Sequence, residues 1–256
     1  MQLLAFTVSS WRVWLLLSIT AMAISALVIH GPILQDSSYH LFADQRTILG
    51  IPNLWNVATN LPFFVFGLYG LALLVKGQTS GGSSHQRHAY AAFFGAMALV
   101  AAGSAYYHLS PSDARLVWDR LPMTLAFMAF FAAILGEHIH SSLAHRTLIP
   151  LLLAGVLSVL WWQLSGDLRL YALVQFLPMI LIPLIMILYP SRLPGTKWLW
   201  ALLVAYGIAK AFESFDIQIY QALGFGGHAL KHIAAAIGMY FIVLLVKTRD
   251  VSAAPA

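Results

Sequence analysis

Residues Leu168–Tyr189 read LRLYALVQFLPMILIPLIMILY, an apolar stretch with a single charge, Arg169. A bilayer core is about 30 Å thick and is crossed by about 20 apolar residues in a helix. The stretch therefore predicts a membrane-spanning helix. About seven more runs of the same kind flank it, at Trp11–His30, Pro52–Lys76, His88–His108, Leu116–Glu137, Thr147–Leu164, Lys197–Phe215 and His228–Val246. The breaks are turn chemistry: Gly77–His85 (GQTSGGSSH), Ser110–Asp113 (SPSD), Pro190–Thr196 (PSRLPGT) and Gly224–Gly227 (GFGG). Only a few residues around Gly166 and Asp167 separate the fifth and sixth runs, which predicts a helical hairpin. The first run is read as a retained helix and not a signal peptide, because its start carries only one cation, Arg12, the run is longer than a usual signal-peptide core, and Val28–Pro32 (VIHGP) is a poor cleavage site.

Composition agrees. The 256-residue chain is 60% hydrophobic and 9% charged, with mean hydropathy +0.80. So few charges cannot cover a soluble surface, and so apolar a chain is not disordered. There is no cysteine, which excludes disulfides, thiol nucleophiles and thiolate metal sites. The net charge of +5 comes from singly scattered residues, so no nucleic-acid partner is implied. In membrane proteins such charges set topology. A cytoplasmic N-terminus puts Arg12, Lys76, Arg87, Arg146, Arg192, Lys197, Lys247 and Arg249 inside, against Arg46, Arg115, Arg120 and Arg169 outside. Both termini are then cytoplasmic.

In that topology the unusual polar residues share the non-cytoplasmic face. Ser104 and His108 lie four apart on the third run, and His228 and His232 four apart on the last, so each pair shares a helix face. The SPSD turn brings Asp119, in Trp118–Met123 (WDRLPM), close to His108. Ionisable groups inside spans are costly and are functional candidates. Three imidazoles with an open fourth position form a catalytic zinc arrangement, in which water becomes acidic enough to attack at neutral pH. Asp119 can take the water's proton and pass it to a leaving amine, and Ser104 can donate to the carbonyl or oxyanion. HxxxH alone also serves interhelical hydrogen bonds, SxxxH alone also serves helix contacts, and Asp119 can simply pair with Arg120.

The segments Gly103–His108 (GSAYYH), Trp118–Met123 (WDRLPM) and Gly227–His232 (GHALKH) resemble the alkaline ceramidases, seven-helix membrane hydrolases whose superfamily includes the adiponectin receptors. The shared pattern is SxxxH, an Asp eleven residues after the His, and a late HxxxH. Asn53–Pro62 (NLWNVATNLP) resembles the family's first-helix segment, and the likeness extends over about Tyr39 to Val246. The resemblance implies zinc on His108, His228 and His232, water activation by Asp119, help from Ser104, and hydrolysis of a ceramide-like N-acyl lipid to a fatty acid and a sphingoid base. Together with the apolar runs it gives an all-α integral membrane fold, with a seven-helix hydrolase bundle over 36–250 and one extra N-terminal helix over 1–35; the tail over 251–256 (VSAAPA) is expected to be disordered. Animal members hold calcium through an acidic segment. The counterparts Asp36, Asp44, Asn53 and Asn56 are few for an ion that takes six to eight oxygens, so capped loop residues are expected here instead.

Competing readings are a lipid receptor of the same superfamily with a structural zinc, a haem protein, and a transporter. Haem needs axial imidazoles from opposite sides, which HxxxH on one face does not suit. No inverted repeat supports transport. Lys210 and Glu213 are expected to form an ion pair and Lys231 to snorkel to the interface. His138, His140, His145, His85 and His88 are expected in solvated loops on the opposite face. Tyr106 and Tyr107 are expected to pack. Pro178 and Pro183 are expected to bend the sixth run, and Trp161, Trp162, Trp198 and Trp200 to anchor at the interface.

Overall fold

The computed structural model describes residues 10–79 and 82–249, and the tail 251–256 lies outside them. Among the described residues there are ten α-helices and no strand beyond isolated bridges. The helices are α1 (Ser10–His30), α2 (Leu54–Ala58), α3 (Leu61–Val75), α4 (Ser84–Leu109), α5 (Asp113–His138), α6 (Ser141–Ser165), α7 (Arg169–Leu188), α8 (Thr196–Ser214), α9 (Asp216–Leu223) and α10 (Gly227–Lys247). A 3-10 turn, Ser37–His40, precedes α2.

Seven of the spans are long and apolar enough to cross a bilayer, with α2 and α3 counted together. The protein is an all-α, multi-pass membrane bundle. The eighth expected span is α8, which has 19 residues, carries Lys197, Lys210 and Glu213, and packs along α10. Helix α1 has none of its span buried and lies against α7. Helix α5 is the most buried span, packed between α4 and α6. Its inner face is built of Ala126, Ala129, Ala132 and Ala133, small residues that let neighbouring backbones come close. Leu15, Leu17, Ile149, Leu153 and Leu157 point outward, as an apolar solvent allows.

Local chemistry sets the ends. Ser83 and Ser112 cap α4 and α5 by accepting from the backbone N–H groups of Gln86 and Arg115. Gly166, with φ of 74°, closes α6 and begins the expected hairpin. The second run is not one continuous helix. It breaks at Thr59 and Asn60, whose side chains donate to the carbonyls of Trp55 and Asn56, while Pro62 offers no N–H to the turn before it. Helix α7 runs unbroken through Pro178 and Pro183.

The segment between α1 and α2 crosses the end of the bundle as a strap. The Ile33 N–H donates to Asp167 Oδ1 (3.1 Å) and the Ala43 N–H to Asp216 Oδ2 (2.9 Å). His40 bridges Tyr107 Oη and Asp113. Further along, the two carboxylate oxygens of Asp44 accept from Arg46 at 2.9 and 2.6 Å.

Candidate functional site

The three expected histidines meet under the strap. His108 ends α4, and His228 and His232 occupy successive turns at the start of α10. Their ring centroids form a near-equilateral triangle of 4.9, 5.0 and 5.0 Å. One ring nitrogen from each lies within 4.8 Å of the others, and all three residues are buried. Both ring nitrogens of His108 lack a hydrogen-bond partner. Three buried imidazoles this close together, one of them with both nitrogens unpartnered, are what a borderline divalent cation takes as ligands. The cluster can hold a metal ion.

The supports around the rings fit that reading. Thr59 Oγ1 donates to the Trp55 carbonyl (2.6 Å), so it meets His232 Nδ1 (3.0 Å) as an acceptor. This places the proton on Nδ1 and leaves the Nε2 lone pair free, the usual way an outer partner sets a ligand's tautomer. Asp216 Oδ1 accepts from the His228 backbone N–H (2.9 Å) and fixes the start of α10. Asn53 Nδ2 donates to the His108 carbonyl (2.8 Å). The Phe42 ring covers His108 and His228 at 4.7 and 4.4 Å.

A cavity of about 520 Å³ adjoins this cluster, with His232 alone of the three histidines on its wall. His232, Ser104 and Asp119 line its polar end, and Phe93, Met97, Phe130 and Met239 line its depth. Asp119 is 8% exposed and its Oδ1 has no partner. The Ser104 hydroxyl stands beside it. Gly103 makes this possible: a Cβ there would strike the Trp118 carbonyl oxygen, so α4 and α5 touch backbone to backbone where Ser104 faces Asp119.

Several expectations are corrected. Lys231 does not snorkel. It donates to Glu213 Oε1 (3.1 Å), lies 2.9 Å from His228 Nε2, and lines the cavity. The expected Lys210–Glu213 pair forms at 2.6 Å. Asp119 makes no ion pair with Arg120 among the described residues. His138 is buried rather than solvated, with Nδ1 2.7 Å from the Tyr189 carbonyl oxygen. His140, His145, His85 and His88 are exposed or partly so, far along the chain's other face. Trp162 is buried against Arg120, whereas Trp161 and Trp200 are exposed. Tyr107 packs on His108, and Tyr106 is exposed under Arg115.

Of the groups weighed for calcium, Asp36 accepts from the Ser38 N–H and both oxygens of Asp44 accept from Arg46, whereas Asn53 and Asn56 donate through Nδ2 and the Asn56 Oδ1 is buried with no partner among the described residues. The Arg46 hydrogen bonds hold the Asp44 carboxyl below its ordinary pKa, and the Ser38 N–H does the same for Asp36. Phe42 and Thr59 are the neighbours that spacing did not reveal.

A comparison with curated proteins finds none that matches. The family model described as Ceramidase matches residues 48–254, which hold the histidines, Ser104, Asp119 and nearly all of the cavity wall. With that match over most of its length, the chain belongs to the ceramidase family.

Proposed function

We propose that the protein is a zinc-dependent intramembrane amidase, which cleaves a ceramide-like N-acyl lipid into a fatty acid and an amine. The observation that carries this reading is a group of three buried histidines, one of which, His232, lines an apolar cavity together with Ser104 and Asp119. His108, His228 and His232 would hold the ion. A zinc ion so bound supplies Lewis-acid chemistry, polarising a carbonyl and bringing the pKa of water to about 7.

The chain's own residues do the rest. The cavity volume lies in the range of about 300–1,000 Å³ typical of small-molecule sites, and its apolar walls take the acyl chain while excluding water. Ser104 donates its hydroxyl proton in a hydrogen bond to the amide carbonyl oxygen, which gains negative charge as water adds. Asp119 takes one proton from that water and later delivers it to the amide nitrogen as the C–N bond breaks. Water and amide thus become carboxylic acid and amine. Phe42 closes the site from the strap side. The Lys and Arg distribution supports cytoplasmic termini, with the site near the opposite face.

The test is metal content by mass spectrometry on detergent-purified protein, wild type beside His228→Ala, with ceramide hydrolysis measured on both. About one zinc per chain, lost together with hydrolysis in the variant, is expected. Folded wild-type protein that binds no zinc after loading refutes the reading.

A further inference from the structure

Arg120 follows Asp119 on α5, is 5% exposed, and lines the same cavity. Its guanidinium is held by rings, with centroids 4.4 Å away for Trp162, 4.6 Å for Tyr171 and 5.4 Å for Tyr39. The rings fix its place and offer no anionic oxygen. Among the described residues it forms no ion pair, and its acceptor is the neutral amide oxygen of Gln35, 2.7 Å from Nη2. Nε and Nη1 have no acceptor. A buried charge without a counter-charge is expensive, and a guanidinium is the group best shaped for carboxylate or phosphate.

Two further cations reach this cavity from other helices. Lys210 of α8 and Lys231 of α10 share a single carboxylate, Glu213, at 2.6 and 3.1 Å. Two ammonium groups on one carboxylate leave a positive charge in excess. The wall also carries the carboxylates of Asp119 and Asp36, but among the described residues neither pairs with Arg120, and Asp36 accepts from the Ser38 N–H. Gln35 belongs to the strap, so its neutral oxygen is an acceptor that an incoming anion displaces.

We infer that the polar end of the cavity is a subsite for the anionic group, carboxylate or phosphate, of an N-acyl lipid, with Arg120 as its specificity-determining residue. The inference deepens the amidase reading and rests on it for the N-acyl part. A neutral sphingoid headgroup brings hydroxyls to this end and leaves the Arg120 guanidinium without an anionic partner. An anionic lipid matches it and gains charge-assisted hydrogen bonds.

The test measures binding of three probes with the same acyl chain to full-length protein in neutral detergent: N-acylglycine, ceramide 1-phosphate and neutral ceramide. Wild-type protein is expected to bind at least one anionic probe about tenfold tighter than ceramide. A preference confined to N-acylglycine assigns a carboxylate, and one confined to ceramide 1-phosphate a phosphate. Arg120→Gln should abolish the preference and Arg120→Lys should keep part of it. Equal or tighter binding of ceramide by wild type overturns the inference without recourse to any variant, as does a preference that survives in folded Arg120→Gln. Hydrolysis of the same probes separates the two readings. Anionic preference without cleavage removes the amidase and keeps the subsite, whereas cleavage of ceramide without preference does the reverse.

Discussion

Replacing Gly103 by alanine should damage turnover far more than stability. The new Cβ would fall on the Trp118 carbonyl oxygen, a backbone atom that no rotamer change can move away. Ordinary Cβ contacts begin near 3.4 Å. Helices α4 and α5 would therefore have to part by roughly 1 Å, a strain of about 1–3 kcal/mol for overpacking. Alanine's helix propensity returns about 0.8–1 kcal/mol. The net loss of about 0–2 kcal/mol shifts the melting temperature by a few degrees at this size. The same movement carries Ser104 and His108 away from Asp119, and a displacement of about 1 Å can cost about a hundredfold in rate. The assay is amide hydrolysis by purified protein beside a thermal melt. Gly95→Ala is the control on the same helix, because its Cβ would meet nothing within 4 Å. Normal turnover in Gly103→Ala would refute the argument that close approach of α4 and α5 sets the site.

Other outcomes follow from the same contacts. Asp119→Asn should keep bound metal, read by mass spectrometry, and lose about a hundredfold or more in hydrolysis; near-normal turnover excludes it as the proton carrier. Ser104→Ala removes one donor and should slow hydrolysis by no more than about a thousandfold while leaving metal content unchanged. Asp44 is held below its ordinary value of 3.8 by Arg46, so its stabilising effect is complete above that pH and fades as pH falls through the lowered value. The melting temperature should drop in that acid range, and Asp44→Asn should flatten the drop; an unchanged acid profile counts against the Asp44–Arg46 link. Glu137 accepts from Arg249 at 2.6 and 2.8 Å, with both side chains almost wholly buried. Glu137→Gln should cost about 3–5 kcal/mol, measured by thermal or denaturant unfolding.

The helical spans and the triad were legible because both are periodic. A run of about 20 apolar residues has one economical conformation in lipid. Spacings of four place Ser104 with His108 and His228 with His232 whatever else the helix meets. Elements below that length were not visible: α9 has eight residues, and the strap has almost no regular structure. Phe42 carries no spacing signal, since it reaches the histidines only because Asp216 and Asp167 fasten the chain on either side of it. Lys231 could have been placed, because it lies three residues after His228 and so shares its face. Its partner Glu213 comes from another helix, and only tertiary packing joins them. His138 was misplaced for a similar reason: α5 runs on to it, and the carbonyl that meets it belongs to Tyr189 at the end of α7.

The fastening of the strap also bears on the order in which the protein is made. Ile33 waits 134 residues for Asp167, and Ala43 waits 173 for Asp216. His228 and His232 belong to the last helix to emerge. Neighbouring spans such as α4 and α5 can pair early from local contacts, whereas contacts across such sequence separations form late. The histidine cluster and its cover are therefore completed only once α10 has followed α8 and α9 out of the ribosome. A chain halted before α10 carries Ser104, His108 and Asp119 but lacks the two histidines that His108 meets.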